Sequence, residues 1–400
     1  MKNHSPRLTL CVVLATLFVA ACSNVGGDNL AQPDCSPAGV CSQYRAVAPT
    51  TGPRWLGQAT LLANGKVLST GGAELSAELY DPASQTWSPV MGAPMGGLSL
   101  ERHASTALPN GKVLISGGME TTRTASRKTW LYDPVSNRLQ PGPAMATPHA
   151  GHTATLLENG NVVIAGGHCP YGNEVCTSGS TELYDAKNNS FSALAAMPVP
   201  VKHAAAVLLA NGTVLLAGGL SGAASAQVQI YNPATNRWTA ANNSAGPSLI
   251  DARYYHTATR LADGRVLVLG GSNPAAGPAG RLNSVELYNP ATGMWTAAAP
   301  MLKKRFAHTA TLMPNGAVLA VGGYGELNSD TTTASVEHYD PKLDKWLQAR
   351  PLINARNGHT ATLLSDGSLL VANGFVTDSA GTSSAPRLSA QIWKLADLLR

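Results

Sequence analysis

Short apolar runs separated by turn residues recur along residues 43–400 of the chain. Within each repeat, two apolar runs flank an Asn-Gly or Asp-Gly pair, as residues 309–312 and 318–321 flank Asn315-Gly316. Such a pair between apolar runs is typical of a two-residue hairpin turn whose central residues have positive φ. The runs are continuously apolar rather than alternating, which predicts strands buried on both faces of a sheet. The pairs are Asn64-Gly65, Asn110-Gly111, Asn159-Gly160, Asn211-Gly212, Asp263-Gly264, Asn315-Gly316 and Asp366-Gly367.

Paired glycines give the repeat its period. Successive pairs lie 46, 49, 52, 52, 52 and 51 residues apart, and in the seventh repeat the pair becomes Asn373-Gly374. A period near 50 residues is the length of a four-stranded propeller blade. The pairs are Gly71-Gly72, Gly117-Gly118, Gly166-Gly167, Gly218-Gly219, Gly270-Gly271 and Gly322-Gly323.

The second half of the repeat carries a tyrosine, a turn and a large apolar residue. The tyrosine is followed by Asp or Asn and, in five of six repeats, by proline, a type I turn signal. Paired glycine, tyrosine and tryptophan in this order resemble the kelch repeat family over residues 43–400. The resemblance implies an all-β, seven-bladed propeller with four antiparallel strands per blade. The residues are Tyr80, Tyr132, Tyr184, Tyr231, Tyr288 and Tyr339, each followed after seven residues by Trp87, Leu139, Phe191, Trp238, Trp295 or Trp346.

The last repeat is completed by the N-terminal part of the propeller. Residues 389–393 occupy its third-strand position, with Trp393 where the repeat has tyrosine. Residues 44–49 resemble the fourth-strand segment 295–300, and Tyr44 precedes Gly57 by 13 residues, as Trp295 precedes His308. The N-terminal strand is therefore predicted to close blade 7, which leaves the ring of blades without a free edge.

The N-terminal segment predicts where in the cell the protein is located. Lys2 and Arg7 precede an apolar run of 14 residues, 8–21, which suits a signal peptide but is too short to cross a bilayer. Residues 17–22 resemble the lipobox of bacterial lipoproteins, which implies acylation of Cys22. A residue other than Asp next to that cysteine, here Ser23, implies the outer membrane of a Gram-negative bacterium. The alternative is a plain secretory signal. We therefore expect a signal peptide at 1–21, a lipidated N-terminus and linker at 22–42, and the propeller at 43–400.

Charge and cysteine content fit this cellular location. Removal of residues 1–21 takes away Lys2 and Arg7 and lowers the formal charge from +5 to +3, which argues against a nucleic-acid partner. Charged residues make up only 13% of the chain, so neither a disordered chain nor a coiled coil is expected. The four cysteines of the mature chain after Cys22 allow three disulfide pairings. Close spacing favours Cys35 with Cys41 and Cys169 with Cys176.

Arginine and histidine recur just ahead of the predicted innermost strands, on the face that also carries the variable loops. One interpretation is a ring around a channel mouth that holds a carboxylate or an acidic sugar. The other is that these side chains brace the blades through third-strand acids: Glu78, Glu182, Glu286 and Glu337. The candidate binding residues are Arg54, Arg253, Arg305 and Arg356, His103, His152, His256, His308 and His359, and the loop residues Tyr171, Tyr254 and Tyr324.

The sequence favours a non-catalytic binding or interaction module for a glycan or an envelope protein, with no cofactor and no metal. An enzyme remains the alternative. Residues 253–256 resemble the galactose oxidase segment in which a Tyr-His pair binds copper, which implies Tyr255 and His256 as ligands, although no free cysteine is evident to crosslink a second tyrosine. A sialate epimerase of kelch type would suit an arginine-lined mouth, but no nucleophile–base pair or carboxylate dyad stands out.

Overall fold

Seven sheets of four antiparallel strands are arranged as the blades of a propeller in the computed structural model. The structure describes residues 45–52, 54–72, 77–92, 101–120, 122–168, 176–240, 248–276, 280–325, 331–377, 384–386 and 388–394. Within these ranges all regular structure is β apart from one 3₁₀ turn, Pro274–Ala276, and no helix is long and apolar enough to cross a membrane. Residues 43–400 form one compact unit.

Each blade runs from an innermost first strand to an outermost fourth strand. Blades 1 to 4 consist of Gln58–Leu61, Val67–Thr70, Glu78–Asp81 and Thr86–Pro89; Ala104–Ala107, Val113–Ser116, Thr129–Asp133 and Arg138–Pro141; Thr153–Leu156, Val162–Ala165, Thr181–Asp185 and Ser190–Ala193; and Ala205–Leu208, Val214–Ala217, Val228–Asn232 and Arg237–Ala240. Blades 5 to 7 consist of Thr257–Arg260, Val266–Leu269, Val285–Asn289 and Met294–Ala298; Thr309–Leu312, Val318–Val321, Val336–Asp340 and Lys345–Ala349; and Thr360–Leu363, Leu369–Ala372, Ala390–Trp393 and Arg45–Val47.

Additional short strands lie beside the four strands of several blades. Met91–Gly92 pairs in parallel with the outer edge of blade 2 at Arg138–Leu139. Two small hairpins lie among the described loops, and they pair Leu220–Ser221 with Ala223–Ala224 and Phe375–Thr377 with Ser384–Pro386. Arg305–Phe306 and Tyr324–Gly325, which flank the first two strands of blade 6, also pair with each other.

The predicted closure of the ring is confirmed. Arg45–Val47 pairs antiparallel with Ala390–Trp393, and Val47 packs with Ala390 and Ile392 in a core cluster that blades 7 and 1 share. The first strands of neighbouring blades contact one another all the way around, including blade 7 with blade 1. The hydrophobic core consists of such clusters between blades rather than of one central core.

The hairpin turns differ from the expected type. The main chain of Gly111 donates to the carbonyl of Leu108 at 2.9 Å, so the central residues are Pro109 and Asn110, and only Gly111 has positive φ. This is a type I turn followed by a glycine bulge, and the expectation of positive φ at both residues of each pair was wrong. The physical reason is the length of the connection, because the main chain of Leu108 donates to the carbonyl of Lys112 at 2.8 Å and three residues rather than two join the strands.

Paired glycines let one blade approach the next. A Cβ atom on Gly218 would lie 2.6 Å from the carbonyl oxygen of Arg253 in the following blade, a distance that no side chain tolerates. The neighbouring Gly219 donates its N–H to that same oxygen at 2.8 Å. The same link joins Gly118 to His149, Gly167 to Val201, Gly271 to Arg305, Gly323 to Arg356 and Gly374 to Arg54.

Tyrosine and tryptophan fill the wider, outer part of the blades. Tyr80 and Trp87 lie directly opposite each other on the third and fourth strands, with ring centroids 5.0 Å apart. The indole N–H of Trp87 donates to the carbonyl of Ala48 at 2.9 Å, which ties blade 1 to the closing strand of blade 7. The equivalent pairs are Tyr231 with Trp238, Tyr288 with Trp295 and Tyr339 with Trp346.

The two faces of the propeller differ. The Asn-Gly and Asp-Gly hairpins and the turns after each tyrosine lie on one face, which we call the turn face. The connections from second to third strand, and from one blade to the next, lie on the other, which we call the loop face. Variable sequence is therefore confined to the loop face.

Loss of the closing strand should open the ring. A variant lacking residues 23–48 should melt at lower temperature, and aggregate more, than a matched variant lacking only residues 23–42, because blade 7 then exposes the edge of Ala390–Trp393. Thermal unfolding followed by circular dichroism and light scattering measures both effects. Equal melting temperatures would show that the closing strand contributes no stability.

Candidate functional site

Seven residues, one from each blade, line the channel mouth on the loop face. Each stands two positions before an innermost strand and has a left-handed backbone, as at Arg102 with φ 60° and Tyr255 with φ 53°. We call this set the mouth ring: Leu56, Arg102, Gly151, His203, Tyr255, Ala307 and Gly358.

The mouth ring is closed by main-chain hydrogen bonds. Each residue donates its N–H to the carbonyl of the ring residue in the preceding blade, at 2.7 to 3.3 Å, and Leu56 donates to Gly358 across the closure. A left-handed backbone in non-glycine residues costs free energy and persists only where the surrounding structure enforces it. Here seven mutually dependent hydrogen bonds do so, and they fix the side chains of the ring around one opening.

A cavity of about 350 Å³ opens at this ring. All seven ring residues line it, together with four of the repeated histidines: His103, His152, His308 and His359. The four candidate arginines do not line it. The cavity thus separates the sequence-predicted residues into two groups.

The repeated histidines connect neighbouring blades. Nε2 of His359 lies 3.0 Å from the Thr309 hydroxyl of blade 6, and Nε2 of His308 lies 3.1 Å from the Thr257 hydroxyl of blade 5. His103 and His152 contact the second strand of the preceding blade instead, at the hydroxyls of Thr70 and Ser116.

Burial keeps several of these histidines uncharged. Burial, reinforced by nearby Arg356 and Arg305, lowers the pKa of His359 to about 3, and burial with Arg253 lowers the pKa of His256 to about 3. The pKa values of His152 and His308 are also lowered well below the ordinary value, mainly by burial. Neutral imidazoles supply no positive charge for an anion.

The repeated arginines are buried inside the blades. Arg54, Arg253, Arg305 and Arg356 are at most 1% exposed. Arg54 binds the carboxylate of Glu78 at 3.0 Å, and the equivalent pairs are Arg253 with Glu286 and Arg305 with Glu337. In blade 7, Arg356 donates to the carbonyls of Asn373 and Ser389 and to the Ser389 hydroxyl.

The same glutamates hold the segment that comes in from the preceding blade. Glu286 accepts the main-chain N–H groups of Ile250 and Asp251, at 2.7 and 3.0 Å. In blade 3, His149 stands in the arginine position and pairs with Glu182 at 3.3 Å. These are the contacts of the bracing interpretation, so a ligand-binding role for the buried arginines stays only a prediction.

The tyrosines named from the sequence lie elsewhere on the loop face. Tyr254 precedes the ring residue of blade 5, and Tyr324 stacks on Phe306 with ring centroids 4.9 Å apart. Tyr171 lies outside the described residues. Cys22, Cys35, Cys41 and Cys169 also lie outside them, so lipidation and both disulfide pairings, including that of Cys176, stay predictions.

A group of irregular polar side chains, not singled out as a binding site from the sequence, comes together at the cavity wall: Arg102, His203 and Tyr255 line the cavity, whereas His168 and Lys202 are buried next to them. Nη1 of Arg102 lies 3.4 Å from Nε2 of His168, which lies 3.2 Å from Nε2 of His203. The Tyr255 hydroxyl lies 3.1 Å from that same His203 nitrogen, and Nζ of Lys202 lies 3.4 Å from Nδ1 of His168. We call these five residues the mouth cluster.

The cationic neighbours and burial keep both histidines of the cluster neutral. Burial, followed by Lys202 and Arg102, lowers the pKa of His168 to about 4. Burial, followed by Arg102, His168 and Lys202, lowers the pKa of His203 well below its ordinary value. At neutral pH the two histidines therefore add no positive charge to the cluster.

A sequence signal for the cluster exists. Arg102, His203 and Tyr255 each stand one residue before the position of the repeated histidine, where the residue varies from blade to blade. The repeated residues hold the blades together, whereas the variable residue beside each of them faces the cavity. The variable residue just before each repeated histidine is thus the sequence position that indicates the chemistry of the mouth.

The described residues do not fit a copper centre. Tyr255 lines the cavity, but His256, the other ligand implied by the resemblance, does not. In the described part of the chain, no group of three or more His, Cys, Asp or Glu side chains is placed to hold a metal ion.

Seven four-stranded blades, with paired glycines between blades and a Tyr-Trp pair on the outer strands, define a kelch β-propeller. The sequence matches the family described as the KLHDC2/KLHL20/DRC7 Kelch-repeats domain over residues 54–271 and 151–374. The chain belongs to this kelch-repeat family, which confirms the resemblance seen in the sequence.

Individual proteins with similar sequences share less than 30% identity with this chain in the two examples that follow. Kelch-like protein 23 of Homo sapiens is 27% identical over 284 residues, which cover 70% of this chain and 47% of that protein. Beta-scruin of Limulus polyphemus is 29% identical over 159 residues, which cover 39% of this chain and 16% of that protein. The chain thus spans about half the length, or less, of these curated relatives.

Two solved structures share the fold. A fungal alcohol oxidase of the AA5 family, in complex with copper, superposes with a TM-score of 0.67 at 17% identity, covering 88% of this chain and 76% of the oxidase. The structure of YjhT superposes with a TM-score of 0.57 at 15% identity, covering 76% of this chain and 99% of that chain. At such identities the likeness concerns the fold alone.

The buried ion pairs should contribute strongly to stability. Replacing Arg305 with Met should lower the free energy of unfolding by about 3–5 kcal/mol, because the Glu337 carboxylate is left buried without its counter-charge. The matched control is Arg265→Met, which removes the partly exposed pair with Asp263 and should cost less than about 1 kcal/mol. Chemical denaturation measures both values, and equal losses would contradict a bracing role.

The neutral histidines should make the fold sensitive to acid. Their pKa values are lowered in the folded state, so the unfolded chain takes up protons below about pH 6.5 that the folded chain does not. Stability should be fully present above pH 6.5 and fall as the pH drops toward 4, with each such histidine contributing up to about 1.4 kcal/mol per pH unit.

Denaturation at a series of pH values measures this slope. The variant His359→Gln retains a side chain that can bond the Thr309 hydroxyl and should show a shallower slope by about one proton. A free energy of unfolding that stays constant between pH 6.5 and 5 would contradict the neutral state of these side chains.

Proposed function

We propose that this chain is a non-catalytic binding module that is lipid-anchored to a bacterial envelope and takes a glycan or protein ligand on its loop face. The observation that carries the proposal is the cavity of about 350 Å³ at the channel mouth, where the mouth-ring side chains differ from blade to blade. Its size falls within the range of small-ligand sites.

The division of roles among the polar residues supports binding at the mouth. The repeated arginines and glutamates are buried in the blades, so they hold the rigid scaffold. Variable residues on such a scaffold are where proteins usually recognise ligands. Kelch propellers commonly act as protein-interaction modules, in keeping with membership of the family.

The proposed location in the bacterial envelope rests on the sequence. The lipobox ending at Cys22, with Ser23 after it, supports acylation and the outer membrane of a Gram-negative bacterium. An oxidising compartment would allow the proposed disulfides Cys35–Cys41 and Cys169–Cys176. Fractionation of cells should place the protein in membranes and the Cys22→Ser variant in the soluble fraction; membrane retention of that variant would contradict the anchor.

Binding is tested with defined glycans and purified envelope proteins immobilised on a sensor surface. At least one of them should bind the protein, and Phe306→Ser on the loop face should weaken that binding. The matched control is Leu343→Ser, because Leu343 is 69% exposed on the turn face. Equal effects of the two variants would show that the ligand does not bind on the loop face. Turnover of a sugar by the protein would favour the enzyme alternative.

A further inference from the structure

We infer that the mouth cluster binds the carboxylate of an acidic sugar and that the ring of that sugar packs against the aromatic side chains beside the cluster. The inference rests on the proposed function, since it names the ligand class of the same face. It moves the expected anion site away from the buried arginines to Arg102, His168, Lys202, His203 and Tyr255.

The charge of the cluster suits an anion. Arg102 and Lys202 approach His168 from two sides, at 3.4 Å each. Glu101 carries the carboxyl group next to Arg102 in the sequence. Burial raises the pKa of Glu101, although Arg102 and Arg123 act to lower it. Within the part of the chain that the structure describes, Nε of Arg102 has no hydrogen-bond partner.

The hydrogen-bond donors also converge. An ammonium and a guanidinium group only donate, and Lys202 and Arg102 face opposite ring nitrogens of neutral His168, which can accept a hydrogen bond from only one of them. The Tyr255 hydroxyl adds a further donor from the next blade. An ionised carboxylate accepts hydrogen bonds only, so it matches a site made of a guanidinium and a phenol.

Aromatic rings continue from the cluster toward blade 6. The Tyr255 ring lies 5.3 Å from the Tyr254 ring and 6.4 Å from the Phe306 ring, measured between centroids. Phe306 and Tyr324 lie nearly parallel, at 17°. Tyrosine combines a flat apolar face with a polar tip, which suits a sugar ring with its apolar C–H face and its hydroxyl groups.

The closed mouth ring favours a single terminal sugar over an extended segment. Its seven hydrogen bonds join all blades around one opening, and the cavity of about 350 Å³ is bounded by the ring residues themselves. A small acidic group with one ring attached would occupy such a bowl, whereas a peptide strand would call for an open groove.

The experiment is calorimetric titration of the full chain with galacturonate, glucuronate and N-acetylneuraminate, each compared with its neutral counterpart: galactose, glucose and N-acetylmannosamine. At least one acid should bind, and its counterpart should bind at least about tenfold more weakly, because it lacks the charge-assisted hydrogen bonds.

Variants locate the site. Arg102→Gln should weaken acid binding by at least about tenfold, and Tyr255→Phe should weaken it by a smaller factor through loss of one hydroxyl. The matched control is Arg237→Gln, which removes an exposed positive charge from the outer strand of blade 4 and should change the affinity less than twofold. Melting temperatures of all three variants establish that each is folded.

The inference is overturned if no acid binds more tightly than its neutral counterpart, or if Arg102→Gln and Arg237→Gln behave alike. It is also overturned if a peptide carboxylate binds at the mouth and no acidic sugar displaces it. The proposed function would survive these results as long as Phe306→Ser, but not Leu343→Ser, weakens the binding of an envelope ligand. Equal effects of those two variants would overturn the proposed function itself.

Discussion

Main-chain hydrogen bonding between neighbouring blades is the constraint on which this propeller depends. On the loop face, the second glycine of a pair donates to a carbonyl in the following blade, as Gly219 does to Arg253. Each mouth-ring residue in turn donates to its counterpart in the preceding blade. Both contacts require strands to meet at distances that a Cβ atom at the first glycine would prevent. Glycine pairs and left-handed residues therefore recur where the blades crowd together.

The buried charges follow from this arrangement. Segments that cross from one blade to the next bring main-chain N–H groups into the interior, where they need acceptors. Glu286 accepts two of them and is balanced by Arg253, and Glu337 is balanced by Arg305 in the same way. A buried carboxylate without its arginine would be costly, so the two residues are required together. The recurrence of arginine in the sequence thus reflects the crossing of the chain between blades.

A scaffold held by its main chain leaves the side chains of the mouth free to differ. The mouth ring has the same backbone in every blade, yet it carries glycine, alanine, leucine, arginine, histidine and tyrosine. Polar residues lie on blades 2, 4 and 5, and small or apolar ones on blades 3, 6, 7 and 1. The opening is therefore chemically one-sided, which is the arrangement expected of a site that orients a ligand.

The sequence by itself determined the repeat, the number of blades, the hairpin positions and the closing strand, because these depend on local turn chemistry and on a period near 50 residues. The turn type follows from the three-residue connection between the first two strands, which places positive φ on the glycine alone. Only the tertiary structure decided the site. Arg102, His203 and Tyr255 lie 101 and 52 residues apart in the chain, and the packing of the blades around one channel brings them to one cavity. Burial likewise separates Arg305, inside a blade, from Arg102, at the mouth, although both are arginines ahead of an innermost strand.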